Sequence, residues 1–310
     1  MATSIPVRAV ERIAATPRSA VAPRRRHHTD VTFALYLLPV LVLFTLAITL
    51  PALMGVFFSF TNSIGFGDWQ FIGLTNYVAL FSDPAILASY GFTVGFALVS
   101  VLLVNVVAFL LAIALTAQIR GKVALRAVFV LPMVVSGIII AFVFNFLFSN
   151  SLPEFAESVG ATPLATSMLA NPDLAWIAIV IVTAWQAVPS ALLIYIAGVL
   201  SIPSDVYEAA SLDGASTWGQ LRSITLPLVA GYVLINLVIG FKNFLNAYDI
   251  IVGLTDGGPG TSTRSVAMTI FSGFTSGDYA YQMANATIFF LIALVIALVQ
   301  LRISRGKAAF

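Results

Sequence analysis

Residues Glu208 to Pro227 read EAASLDGASTWGQLRSITLP, a polar passage between two long apolar runs. Asp205 and Glu208 stand at capping-box spacing, which offers a carboxylate to the free amides of a first helical turn, and Tyr207 through Leu212 continue that helix. Gly214 stops it, because glycine takes the left-handed C-cap conformation without steric cost. Thr217 and Gln220 repeat the capping-box spacing and restart the chain as a second helix. Ala209, Ala210, Ala215 and Ser216 are small, so a partner docking here meets backbone closely. Pro227 closes the excursion. The passage is expected to be a helix, a bend and a helix that leave a membrane for water.

The membrane is expected from composition. Hydrophobic residues make up 60% of the 310, charged residues only 9%, and mean hydropathy is +1.00, well away from soluble globular averages. The absence of cysteine excludes a disulfide framework, a cysteine-ligated metal and a thiol nucleophile. His27 and His28 are adjacent on a basic tail and make no metal site, so neither catalytic nor metal-ligating residues are expected. The net charge of +2 matters less than where the charges sit.

Six apolar stretches, at 33–60, 93–117, 125–148, 175–200, 228–254 and 284–303, are each long enough to cross a hydrocarbon core of about 30 Å. They make one membrane domain over 32–304, an all-α bundle of six transmembrane helices with a loop at 201–227 between the fourth and fifth spans. Residues 1–31 read as a disordered, uncleaved basic tail and 305–310 as a short C-terminal tail. Pro39, Pro51, Pro132 and Pro189 fall in or near spans, where neighbouring helices satisfy freed backbone groups.

Thirteen of the fifteen basic side chains then collect on one side. Six lie in the tail (Arg8, Arg12, Arg18, Arg24, Arg25, Arg26), three after the second span (Arg120, Lys122, Arg126), one in the 201–227 loop (Arg222) and three at the end (Arg302, Arg305, Lys307). By the positive-inside rule both termini and the 201–227 loop are cytoplasmic. The tail arginines are expected to act as a topology signal before the first span rather than to bind anionic lipid or nucleic acid.

The fifth span is the least apolar, with Asn236, Lys242, Asn243, Asn246 and Asp249 inside it. As a continuous helix it would place Lys242, Asn246 and Asp249 on one face. An ionisable group near the midplane costs at least roughly 2.5–3.5 kcal/mol unless it meets protein or water, so this face is expected to line the interior. Asn243, Asn246, Tyr248, Asp249 and Lys242, with Trp185 and Gln186 of the fourth span, are candidates for a polyol path. The alternative for the same groups is hydrogen bonding that holds the bundle together.

Glu208, Ala209, Ala210, Gly214, Ile224, Leu226 and Pro227 satisfy the pattern EAA, three residues, G, nine residues, I-x-LP without a gap. This resembles the cytoplasmic EAA loop of ABC importer permeases, where the loop is the coupling helix seated in a cleft of the ATPase subunit. Phe71 to Tyr77, FIGLTNY, resembles the F-x-G-L-x-N-Y of carbohydrate-importer permeases, and Leu254 to Pro259, LTDGGP, resembles the L-T-x-G-G-P after the fifth span of the maltose and glycerol-phosphate kind. The resemblance runs from about residue 33 to 303. Two departures are Val229, Ala230 and Gly231 where another proline is common, and Phe144 where a tryptophan is often found.

The resemblance implies a permease subunit of a sugar importer in a bacterial plasma membrane. Glu208, Ala209, Ala210, Asp213, Gly214, Leu226 and Pro227 would form the ATPase-coupling surface. Implied partners are a second related permease, two ABC ATPase subunits, an extracytoplasmic solute-binding protein, the sugar and the lipid bilayer. ATP and Mg belong to the ATPases, since no P-loop occurs here. The alternative is an ion-coupled secondary transporter centred on Lys242 and Asp249, which calls for internal repeats with broken helices at matching positions. An intramembrane enzyme would need more than one embedded carboxylate.

Overall fold

The computed structural model describes residues 27–117, 121–161 and 164–305, with side chains from 33 to 303. The tail arginines Arg8 to Arg26, Arg120, Lys307 and residues 306–310 lie outside the described residues. The chain divides into two units, Met1–Leu53 and Met54–Phe310.

In the first unit, α1 (His27–Phe44) continues through a π turn at Thr45–Thr49 into α2 (Leu50–Phe58). Nearly every described side chain of this unit is exposed and apolar, as suits a helix surrounded by hydrocarbon.

The second unit begins within α2, at Met54, and continues with α3 (Thr75–Ser82), α4 (Pro84–Thr116), α5 (Lys122–Val130), α6 (Gly137–Phe146), α7 (Leu152–Ser158), α8 (Pro172–Leu200), α9 (Ser204–Leu212), α10 (Thr217–Gln220), α11 (Leu226–Leu245), α12 (Asp249–Thr255), α13 (Val266–Ser276) and α14 (Tyr279–Arg305). Among the described residues, six helical segments are long and apolar enough to cross a membrane: Phe33–Phe58, Pro84–Thr116, Gly137–Ser158, Pro172–Leu200, Thr217–Leu245 and Tyr279–Ile303. The protein is an all-α, multi-pass membrane protein.

The core forms where α4 and α8 meet. Small buried residues (Ala97, Ala108 and Ala112 on α4; Ala175, Ala178 and Ala184 on α8) let the backbones approach. Between them the Tyr195 hydroxyl donates to Asn105 Oδ1 at 2.5 Å, and Asn105 Nδ2 donates to the Val101 carbonyl, so both polar groups are satisfied away from water. Each helix starts at a cap followed by proline. Asp83 accepts from the amides of Ala85 and Ile86, and Asn171 from that of Asp173. The Asp83 cap is why the second span starts at Pro84 rather than 93.

Three prolines sit two residues past a π turn: Pro51 after Thr45–Thr49, Pro153 after Leu147–Ser151 and Pro227 after Leu221–Thr225. A proline inside an α-helix lacks one N–H and its ring collides with the carbonyl four residues back. Widening the preceding turn, as when the Leu226 amide bonds to the Leu221 carbonyl, accommodates the ring without ending the helix. Pro227 therefore sits inside a continuing helix instead of marking its boundary.

Two spans differ from the sequence expectation by being interrupted. The third, expected at 125–148, runs as α5, a tight 3-10 turn at Leu131–Val134 holding Pro132, and an extended Val135 before α6 starts at Gly137. The fifth, expected at 228–254, stops at Leu245. Asn246 Nδ2 donates to the Lys242 carbonyl at 2.8 Å, taking the place of a backbone donor, and helix resumes at Asp249. The two restarted pieces, α6 and α12, pack closely: a Cβ on Gly253 would stand 2.6 Å from that of Ala141, and Asn145 Nδ2 donates to the Leu254 carbonyl.

The motifs outside the 201–227 loop are structural braces. Asn76 of FIGLTNY donates to the carbonyls of Ser59 and Thr61, and the Tyr77 hydroxyl pairs with Ser59 Oγ at 2.6 Å. In LTDGGPG, Asp256 and Gly257 take positive φ, and buried Thr263 bonds to the Gly258 carbonyl and to Thr255 Oγ1.

Candidate functional site

Two places carry polar chemistry, the 201–227 loop and a cavity beside the helix breaks.

In the loop, α9 starts at Ser204 with Pro203 as its cap residue, so Asp205 lies in the first turn rather than capping it. At the other end Gly214 has φ +79°, its amide bonds to the Ser211 carbonyl, and the Ala215 amide reaches back to Ala210. This is a Schellman closure, with glycine in the one conformation other residues resist. The second helix is capped by Ser216, which accepts from the Gly219 amide, one residue before the expected Thr217. The two helices are tied twice. The Tyr207 hydroxyl pairs with Thr225 Oγ1 at 2.9 Å, and Gln220 Nε2 donates to Ser211 Oγ at 2.9 Å.

Tyr207 and Ile224 pack on the membrane core, while Glu208, Ala209, Asp213 and Gly214 are exposed and Ala210 is half-buried. Leu226 and Pro227 are exposed at the start of α11. The tip is apolar as well as exposed: Leu212 is 90% and Trp218 69% accessible. Large exposed apolar groups of this kind make the tip a candidate contact surface.

The cavity has a volume of about 440 Å³. Gly137 and Met133 come from the third-span break, Thr183, Gln186 and Ser190 from α8, Asn236, Gly240 and Asn243 from α11, and Asn246, Tyr248 and Asp249 from the fifth-span break. Of the residues expected on a polyol path, Asn243, Asn246, Tyr248, Asp249 and Gln186 line it. Lys242 and Trp185 do not. Because α11 ends at Leu245, its cavity face runs through Asn236, Gly240 and Asn243, and Lys242 turns about 100° from Asn243. Lys242 belongs to the last turn of α11, and the free carbonyls of a helix end favour a cation. Trp185 packs against Phe144 with ring centroids 5.4 Å apart.

Some lining groups are already committed. Gln186 Nε2 donates to the Val135 carbonyl at 3.1 Å, and Asn236 Nδ2 to the Ala191 carbonyl at 3.1 Å, each tying a break or a helix to its neighbour. The Tyr248 ring meets Phe271 edge-on at 5.4 Å. Thr183 is different: it is buried, and its hydroxyl has no hydrogen-bond partner among the described residues. Thr183 and Ser190 escaped the sequence reading, although 183, 186 and 190 fall on one helical face. Among the described residues, no cluster of His, Asp and Glu could hold a metal ion.

The comparisons agree with this architecture. A family model described as "Binding-protein-dependent transport system inner membrane component" matches residues 105–306. The chain is 32% identical over 278 residues to a probable starch degradation products transport system permease protein of Thermoanaerobacterium thermosulfurigenes, covering 89% of this chain and 95% of that one. It is 34% identical over 272 residues to a multiple sugar-binding transport system permease protein of Streptococcus mutans, covering 87% and 94%. Its fold matches that of a bacterial ABC transporter involved in the import of the acidic polysaccharide alginate, with a TM-score of 0.78 at 22% identity, covering 90% of this chain and 97% of that one. The chain belongs to the family of binding-protein-dependent transport system inner membrane components, the membrane permeases of ABC importers, in which ATP hydrolysis is left to separate ATPase subunits.

Proposed function

We propose that this permease moves a sugar or sugar-like solute across a bacterial plasma membrane and that the 201–227 loop couples it to the ATPases. The observation that carries the reading is the loop itself, an exposed helix-bend-helix with Leu212 and Trp218 at its tip and Tyr207 braced on the membrane core. A push on Glu208, Ala209, Ala210, Asp213 or Gly214 is passed through the Tyr207–Thr225 pair to the start of α11, whose other end stops at the cavity. In this reading both termini are cytoplasmic, a second permease completes the path, and ATP and Mg bind the two ATPase subunits.

The sugar reading draws on the names of the relatives and on the cavity. Asn243, Asn246, Gln186, Ser190, Thr183 and Asp249 offer donors and acceptors to hydroxyl groups, and Tyr248 offers a ring. A structure similar in fold is of an alginate ABC transporter in complex with an alginate pentasaccharide-bound periplasmic protein, which supports a binding protein as the donor of solute. The interruption of two spans at the cavity is the feature an ion-coupled carrier would share. Uptake into proteoliposomes distinguishes the two. Uptake that needs ATP and binding protein and survives dissipation of ion gradients supports the importer; uptake that follows an ion gradient without ATP overturns it.

A further inference from the structure

The outward surface of α3 has no part in coupling or in the cavity. Its eight residues cover about 12 Å, too short for a hydrocarbon core of about 30 Å, so it joins two spans without being one. One face is spent on the bundle: Asn76 and Tyr77 hold the end of α2, and Leu80 is buried with Ile86 and Ala284. The opposite face carries Leu74, Val78 and Phe81 at helical spacing, and Val78 and Phe81 are each 64% exposed.

Three further observations say what covers that face. From Trp69 to Ser82 the chain holds fourteen residues without a charge, bounded by Asp68 and Asp83. In sequence the strip is flanked by exposed apolar residues of the spans on both sides, Met54 and Phe57 before it and Leu87 after it, and Phe81 and Leu87 line one apolar groove. The loop before it exposes Phe66, Trp69 and Phe71, and Trp69 stands edge-on to Phe57 and Phe58 at 5.6 and 5.8 Å. Aromatic side chains next to a span end are typical of the membrane–water boundary.

We propose that α3 is an interfacial anchor, its Leu74, Val78 and Phe81 face seated among lipid at the boundary between headgroups and acyl chains. Three crossings separate it from the 201–227 loop, so the leaflet is the opposite one. The anchor sets the depth at which α4 enters the membrane, because α3 runs into the Asp83 cap and the Tyr281 hydroxyl of α14 donates to the same carboxylate. A short helix with an apolar outer face lies in the interface plane in this way.

The lack of cysteine makes the test direct. Val78→Cys, Phe81→Cys and, as a control at an exposed turn outside the crossing segments, Ser262→Cys are each introduced singly into the full chain. They are spin-labelled and reconstituted in phosphatidylethanolamine–phosphatidylglycerol vesicles. Labels at 78 and 81 are expected to collide with oxygen more often, and with a water-soluble nickel chelate several-fold less often, than the label at 262. Nickel accessibility equal to that at 262 places the face in water, and low accessibility to both reagents places it against protein. Either result overturns the proposal. Reading two positions keeps the test decisive if one variant fails to fold.

Discussion

The Tyr207 hydroxyl lies 2.9 Å from Thr225 Oγ1, so the first helix of the water-exposed loop is fastened to the widened turn from which the fifth membrane-crossing helix departs. Thr225 is buried and Tyr207 packs on the core, which shields this bond from competing water. Tyr207→Phe keeps the ring and removes the bond. A net loss of about 0.5–1.5 kcal/mol is expected, seen as a small fall in Tm, together with reduced solute-stimulated ATPase activity in the assembled complex.

Thr183→Val tests the cavity. The substitution keeps the side-chain shape and removes a buried hydroxyl that lacks a partner, so stability should hold or rise. If the hydroxyl serves the solute, solute stimulation of ATPase activity falls while Tm does not. A variant stimulated as well as the parent removes Thr183 from the path.

Asn105→Leu strands the Tyr195 hydroxyl in the α4–α8 core. The cost is about 1–3 kcal/mol, measured as a drop in the thermal midpoint. Adding Tyr195→Phe removes the stranded group and should recover part of the loss, giving a coupling energy of the sign expected for a direct pair.

Asn246→Leu removes the side chain that takes the Lys242 carbonyl. Leucine favours helix, so α11 should extend toward Asp249 and shift Asn246, Tyr248 and Asp249 out of their cavity positions. The expected outcome is a protein that folds and assembles yet does not take up solute.

Much of this was legible beforehand because its signals are local. Gly214 at the bend and the polar break between apolar runs follow from backbone preference and hydropathy, and the bend forms with φ +79°. The interruption of the fifth span was not legible. Asn246 continuing a helix and Asn246 turning back to the Lys242 carbonyl have the same hydropathy profile, and only the structure shows the amide on that carbonyl and α12 packed on α6 through Gly253 and Ala141. Lys242 and Trp185 stand outside the cavity lining for related reasons. Extrapolating a helix past its end rotates a face away from where it forms, and Trp185, next to Gln186 in sequence, packs on Phe144 of α6. Ser216 in place of Thr217 as cap is a one-residue shift between two equally competent hydroxyls.

The most direct test of the coupling claim is Gly214→Val in the complete complex in proteoliposomes, with basal ATP hydrolysis, solute-stimulated hydrolysis and uptake measured on the same preparation. A β-branched side chain resists the left-handed conformation, at a cost of about 1–2 kcal/mol or more, so the bend opens and the tip carrying Leu212 moves off its partner. Retained basal hydrolysis with loss of both solute stimulation and uptake is the expected result. Stimulation and uptake at parental levels would contradict the claim that this loop carries work from the ATPases to the membrane.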